Sequence, residues 1–383
     1  MKELMLVINE DRFFLSHRTR IAVNAAKHGW RVTLVTKDTG FRSEIENMGF
    51  NYIELPINPT GMNIKDEFKT FRFLFNLYRK HPDAIIHLVG LKNMLWGGMA
   101  SRLTDTRGVV YAVSGLGTLF GENHRGKISL FIQKMLMFAM KKDNIMAIFQ
   151  NHDDEDLFIT NRLIAPQKTC YIKGSGVDMG EYAFTPMPSS SPLIIIFTAR
   201  MLREKGVIDL VEAAELLRGD YEGKIEFWLC GGLSNNPSGV KEDEIESMID
   251  GSYIKWLGHR DDIKELLQQS SIMCFPSYYR EGVPKSLIEA SAIGRPIITT
   301  DSVGCRDTVS DGKNGIIVPP HSPRQLAQAL KLLIDNPRLR ESMGVVSRSI
   351  AERDYDVNDV ASRHLEIYEK LWAKAKTPFP NIC

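Results

Sequence analysis

The stretch IMCFPSYYREGVPKSLIEA, residues 272–290, decides the fold class of this chain. Its first four residues are apolar without alternation, which suits a strand buried on both faces, and Pro276 ends the run. A turn containing Gly282 follows, and an amphipathic helical pattern then runs to about Ile293. Strand, turn and helix in that order form the repeating unit of a parallel α/β sheet.

The same rhythm extends in both directions. Upstream, short apolar runs at 4–8, 32–36, 52–55, 84–88, 109–113 and 145–150 alternate with amphipathic segments such as 16–28 and 65–80. A second series of strands is expected at 193–198, 225–229, 253–256, 272–275, 296–300 and 315–318. Between the series, residues 184–192 hold three prolines and three serines, the composition of a linker. The pattern predicts two doubly wound α/β domains, 1–182 and 183–355, with a last helix over 356–374. In such sheets ligands bind beyond the carboxyl ends of the strands, so two of them facing one another share one cleft.

Composition narrows the class. The chain has 383 residues, 43% of them hydrophobic and 25% charged, enough for two cores of normal size. Cys170, Cys230, Cys274, Cys305 and Cys383 show no paired spacing, which argues against a disulfide framework or a metal knuckle. The first residues run straight into a buried strand rather than an export segment, and no stretch is long enough to span a bilayer, so a cytoplasmic protein is expected. The net charge of +1 is unevenly spread: residues 1–190 carry 24 Lys and Arg against 19 Asp and Glu, and residues 62–142 alone carry 13 against 5. That asymmetry suits anionic partners. With the total near zero and no aromatic–basic motif, nucleic acid is not expected among them.

Two segments carry chemistry. In the quoted stretch, Glu281 sits on the turn before the helix, where free backbone N–H groups can receive an anion. Glu289 is expected about two turns inside the helix, and both carboxylates are able to accept hydrogen bonds from vicinal sugar hydroxyls. A simpler reading makes Glu281 a charge complementing the helix dipole and Glu289 a solvated residue. The second segment is Phe197-Thr-Ala-Arg200-Met-Leu-Arg-Glu204-Lys205-Gly206, a strand-to-helix loop. A guanidinium and an ammonium placed there can neutralise a departing diphosphate; alternatively both are ordinary surface cations.

With these residues the sequence resembles the family-four retaining glycosyltransferases of the GT-B fold. The resemblance rests on Glu281-x7-Glu289, on Arg200 with Glu204-Lys205-Gly206, and on Gly174-Ser-Gly176-Val-Asp178. Trp256-Leu-Gly258-His259-Arg260-Asp261 and Asp311-Gly-Lys-Asn314-Gly315 extend it. Departures are Ala199, where glycine is common, and Cys305-Arg306-Asp307.

The resemblance implies two Rossmann-like domains and a last helix, within 356–383, that packs back on the first. It implies a hexose or N-acetylhexosamine moved from a nucleotide-sugar, a UDP-sugar by preference, with retention and without metal or other cofactor. Glu281 would contact the donor sugar and Glu289 the ribose, with Arg200 and Lys205 on the diphosphate. Gly282, Val283, Pro284, Gly258, His259 and Arg260 complete the expected donor set.

The acceptor residues expected in the first domain are His17, at the end of a first strand-to-helix loop, and Ser114, Gly115 and Gly117 on a later one. That combination resembles a subgroup acting on polyprenyl-diphosphate-linked glycans in lipopolysaccharide O-antigen, capsule or exopolysaccharide synthesis. The apolar, lysine-spaced segment 127–142, joined by 68–79, reads either as a surface for the inner face of the plasma membrane or as core-facing helices with solvated lysines. The rival readings are a nucleotide-sugar 2-epimerase of similar fold and a non-catalytic subunit of a transferase complex. The sequence Asp154-Glu155-Asp156 opens a helix and is read as dipole-complementing rather than metal-binding.

Overall fold

The structure is a computed structural model that describes residues 1–59, 63–116, 127–189, 191–234 and 236–374. It contains two compact units, residues 1–175 with 357–383, and residues 176–356.

In the first unit, β1 (Lys2–Glu10) leads into α1 (Asp11–His17) and α2 (Thr19–Lys27). Then come β2 (Trp30–Lys37), α3 (Arg42–Asn47), β3 (Asn51–Glu54), α4 (Ile64–Lys80), β4 (Ile85–Val89), α5 (Leu91–Arg102) and β5 (Gly108–Val113). They are followed by α6 (Lys127–Ala139), β6 (Ile145–Phe149), α7 (His152–Thr160) and β7 (Thr169–Tyr171). The sheet order is β3-β2-β1-β4-β5-β6-β7, and every pairing is parallel. Side chains alternate between two cores: Leu4, Leu6 and Ile8 enter one, Met5 and Val7 the other. That double burial is why β1 reads as an unbroken apolar run.

The second unit runs β8 (Leu193–Thr198), α8 (Val207–Tyr221), β9 (Ile225–Cys230), α9 (Glu242–Glu246), β10 (Ile254–Gly258) and α10 (Ile263–Gln269). It continues through β11 (Ile272–Phe275), α11 (Lys285–Ile293), β12 (Ile297–Thr300), β13 (Gly315–Val318), α12 (Pro323–Asp335) and α13 (Pro337–Asp354). Its parallel sheet is ordered β10-β9-β8-β11-β12-β13. The last helix, α14 (Val357–Ala373), belongs to the first unit, where Val360, Ala361, Ile367, Tyr368 and Leu371 join the core against α2.

Three details differ from the sequence expectation. The division falls between Ser175 and Gly176. The proline- and serine-rich segment after it is held to the second unit: Thr185 N–H donates to the Ile293 carbonyl, and the buried Arg295 guanidinium donates to the Thr185 carbonyl at 3.0 Å. The pattern over 16–28 is interrupted, because Arg18 (φ −129°, ψ −7°) separates α1 from α2. Finally, β7 has only three residues, all half-buried, which leaves no apolar run to read.

Candidate functional site

In both sheets the strand order reverses direction beside the first strand, and loops leaving the two strands at that point diverge to leave a crevice. In the second unit those strands are β8 and β11. The loops carry Arg200 and Lys205 after β8, and Glu281, Gly282, Val283 and Pro284 after β11. The topology therefore delivers the two charged segments to one place.

Backbone contacts then fix them. The Glu204 carbonyl accepts from Tyr278 N–H at 2.9 Å, Tyr279 N–H at 3.0 Å and the Ser277 hydroxyl at 3.1 Å. Next to it Gly206 takes φ +79°, and a Cβ there would lie 2.1 Å from the Pro276 carbonyl oxygen. Only glycine allows this approach. A third loop closes from β12: a Cβ on Gly304 would lie 2.0 Å from the Gly282 carbonyl oxygen, and Glu281 N–H donates to the Val303 carbonyl. The Asp307 carboxylate accepts from Gly304 N–H at 3.0 Å, giving this divergent segment a local role.

Within this clasp Lys205 and Glu281 form an ion pair, with side chains 13% and 15% exposed. The Lys205 ammonium also sits 5.2 Å from the Tyr279 ring centre and 5.5 Å from that of Phe275, within cation–π range. Arg200 lies on the same loop, exposed, and acts electrostatically on the Tyr279 phenol.

Glu289 is the fifth residue of α11, little more than one turn in, and it is buried rather than solvated. Burial pushes its pKa above the ordinary value, partly offset by Lys285, 3.5 Å away. Gly258 ends β10 at φ +66°, and its carbonyl accepts from Gly231 N–H at 2.7 Å. The two residues after it are exposed: His259 lies 3.4 Å from Asp261, and Arg260 is forked onto Asp262 at 2.5 and 2.8 Å. They stand beyond β10, two strands from β8.

The residues expected to hold an acceptor are spread more widely. His17 is the last residue of α1, not a loop residue, because β1 continues to Glu10 and the helix starts at once. Its ring stacks on Phe13 at 4.1 Å and its Nδ1 lies 2.6 Å from the Ser16 hydroxyl. Ser114 and Gly115 (φ +104°) follow β5, which β4 separates from β1. Gly117 lies outside the described residues. The first unit's own reversal point, between β1 and β4, carries neutral amides: Asn93 Nδ2 donates to Asn9 Oδ1 at 2.8 Å, beside Gly90 at φ +87°. The sequence reading missed that pair, as it missed Tyr279 and Gly304.

Among the described residues no group of three His, Cys, Asp or Glu side chains is placed to hold a metal ion, and no helix is long and apolar enough to cross a membrane.

Comparison with known proteins agrees with this geometry. The description "Glycosyl transferases group 1" matches residues 182–349, and "Glycosyl transferase 4-like" matches residues 3–151. The chain belongs to the group 1, family-four glycosyltransferases. A glycosyltransferase of this kind from Campylobacter jejuni, N,N'-diacetylbacillosaminyl-diphospho-undecaprenol alpha-1,3-N-acetylgalactosaminyltransferase, is 25% identical over 353 residues, 89% of this chain and 91% of that one. The Staphylococcus aureus capsular polysaccharide biosynthesis glycosyltransferase CapM is 22% identical over 300 residues, 76% of this chain and 77% of its own. Among solved structures, HepE of Anabaena in complex with UDP superposes with a TM-score of 0.76 at 19% identity, covering 97% of this chain and 100% of that one. The glycosyltransferase fold is thus GT-B, with two parallel-sheet α/β domains.

Proposed function

We propose that this glycosyltransferase moves a hexose or N-acetylhexosamine, with retention and without metal, from a UDP-sugar to a polyprenyl-diphosphate-linked glycan in bacterial surface-polysaccharide synthesis. The observation that carries the reading is the Lys205–Glu281 ion pair at the β8/β11 reversal point. A cation already held there needs little reorganisation to meet the charge that develops on a leaving diphosphate, which is where preorganised electrostatics lower a barrier most. Arg200, exposed on the same loop, supplies a forked donor for the same oxygens. Glu281, released by Lys205, turns to the sugar hydroxyls, and Glu289 receives the ribose. The donor's own phosphate oxygen takes the acceptor proton, so no protein nucleophile is required. Gly282, Val283 and Pro284 offer backbone to the donor, and Gly258, His259 and Arg260 border the base. His17, Ser114 and Gly115 are assigned to the acceptor in this reading.

The lipid-linked acceptor is supported by the activity for which the Campylobacter relative is named. A second support lies on α4 and α6, which both pack on α5. Ile64 and Phe68 on α4, and Leu130, Phe131 and Phe138 on α6, are large apolar side chains left exposed, interspersed with lysines. Apolar side chains among cations suit an anionic bilayer surface, where such an acceptor resides.

A thermal-shift panel tests the donor. UDP and its cognate sugar should raise the melting temperature more than GDP and its sugars, and the shift should shrink in Lys205→Ala. Equal shifts with every nucleotide would remove the UDP assignment. Sedimentation with phosphatidylglycerol vesicles tests the surface: wild type should co-sediment and Phe68→Ser/Phe131→Ser should not.

A further inference from the structure

The first unit's reversal point is built around one side-chain amide. Asn9 stands two residues past the pairing of Val7 with Leu88, and Gly90 stands level with it on β4. On the β2 side the register shifts just there: Val7 pairs with Val35 and Glu10 with Lys37. Such an irregularity at a sheet rim re-aims a side chain. Gly90 takes φ +87°, and a Cβ there would touch Asn9 Nδ2 at 3.4 Å, so glycine keeps that flank of the amide uncovered. Hydrogen bonds settle which way round the amide sits. Asn93, the third residue of α5 and fully buried, donates through Nδ2 to the Val89 carbonyl at 2.8 Å. A carbonyl only accepts, so that nitrogen is fixed. It donates its other hydrogen to Asn9 at 2.8 Å, which makes the receiving atom Oδ1 of Asn9. The Asn9 Nδ2 hydrogens therefore point elsewhere, and among the described residues they meet no acceptor. Asn93 Oδ1 is left in the core without a partner. That is a desolvation cost an apolar side chain would avoid, so the buried amide is there for what it holds.

We propose that Asn9 binds the acceptor, donating from Nδ2 to a neutral oxygen of the acceptor sugar, and that Asn93 is the positioning residue that turns the amide this way. The proposal rests on the reading that the first unit takes the acceptor. Its chemistry follows from the rim. The ends of the adjacent strands β1, β4 and β5 present Asn9, Gly90, Ser114 and Gly115, none of them charged. Lys92, next along α5, is committed to Glu67 Oε1 at 2.6 Å and to the Asn58 carbonyl at 2.7 Å. A diphosphate calls for a guanidinium or an ammonium; an uncharged amide suits a hydroxyl or an N-acetyl carbonyl. With Oδ1 already engaged, the amide has little rotational freedom left to lose when Nδ2 meets that oxygen.

The test is a double-mutant cycle of Asn9→Ala and Asn93→Ala in the full chain. The probe is whichever sugar the wild type glycosylates fastest from a panel of farnesyl-diphosphate-linked hexoses and N-acetylhexosamines and their methyl glycosides. Asn9→Ala should raise acceptor KM roughly five- to tenfold, the size of one neutral hydrogen bond, with nucleotide-sugar KM and the UDP-induced thermal shift unchanged. Asn93→Ala should raise acceptor KM as well, and the double variant should be no worse than Asn9→Ala alone. Full additivity would overturn the positioning role of Asn93. An unchanged acceptor KM in Asn9→Ala would overturn the contact itself, whatever happens to the stability of the Asn93 variant. Farnesyl diphosphate, which carries no sugar, should inhibit wild type and Asn9→Ala equally. A Ki that rises in step with acceptor KM would move the contact to the diphosphate and sink the sugar assignment. If farnesyl diphosphate does not inhibit wild type, the lipid-diphosphate acceptor of the proposed function falls, while the KM comparison still decides Asn9.

Discussion

Asp11 in the first unit and Glu289 in the second are both buried carboxylates, yet they are built for opposite ends. Asp11 is completely inaccessible and surrounded by donors: the Thr39 hydroxyl, Thr39 N–H at 3.0 Å, Phe41 N–H at 3.4 Å and the Tyr52 hydroxyl at 3.1 Å. Burial works to raise its pKa, but these bonds together hold it below the ordinary value. Glu289, nearly as buried, has the Lys285 ammonium 3.5 Å away, and burial wins. The first carboxylate is a fastener for the loop after β2. The second keeps unspent hydrogen-bonding capacity in a desolvated place, an arrangement that costs stability and suits a ligand. Saturation of the carboxylate, rather than its depth, separates structural from binding roles here.

The sharpest way to break that contrast is at the neighbouring ion pair. Lys205→Ala should lower kcat/KM by about 10²–10³-fold, the usual cost of removing one preorganised group that stabilises a leaving charge. Fold should persist, so a circular-dichroism melt within a few degrees of wild type belongs to the same expectation. Asp11→Ala is next and acts on stability: it strands the donors from Thr39, Phe41 and Tyr52 and should cost about 2–3 kcal/mol in urea unfolding. A loss under about 0.5 kcal/mol would mean those donors find water and the fastener reading is wrong.

Titration sharpens the same comparison. The folded-state pKa of Asp11 lies below its unfolded value, so its contribution is present above that unfolded value, ordinarily 3.8, and disappears as pH falls through the folded one. For Glu289 the folded pKa lies above the unfolded value, ordinarily 4.5. Its ionisation therefore penalises the fold above the raised pKa, and the penalty vanishes below 4.5. Glu289→Gln should consequently unfold at higher urea than wild type near pH 8 and at equal urea near pH 4. The smallest effect is expected at Arg260→Ala. That side chain is exposed and forked onto Asp262, and exposed pairs contribute little to stability, so the urea midpoint should match that of wild type.

Much of this molecule was legible because parallel strands are written as continuous apolar runs; 193–198 and 272–275 coincide with β8 and β11 residue for residue. What escaped has physical reasons. The break at Arg18 lies inside an amphipathic pattern whose apolar spacing continues through it. The burial of Glu289 is invisible because a glutamate in a helix reads as solvated unless its neighbours are known. Lys205 and Glu281, 76 residues apart, could be singled out individually. The device that joins them, a backbone carbonyl at Glu204 with three donors, belongs to no side-chain motif. On the first-unit side, the sequence placed His17 in a loop because Asn9 and Glu10 do not read as strand, though β1 carries through both.

The return of α14 to the first unit bears on how the chain is made. Domains commonly complete themselves in the order in which they leave the ribosome. Here Tyr368 and Leu371 are core residues of the first unit, Tyr368 packing against Trp30 and bonding its hydroxyl to His87 at 2.7 Å. That core therefore cannot gain its last helix until translation has run past the whole second unit.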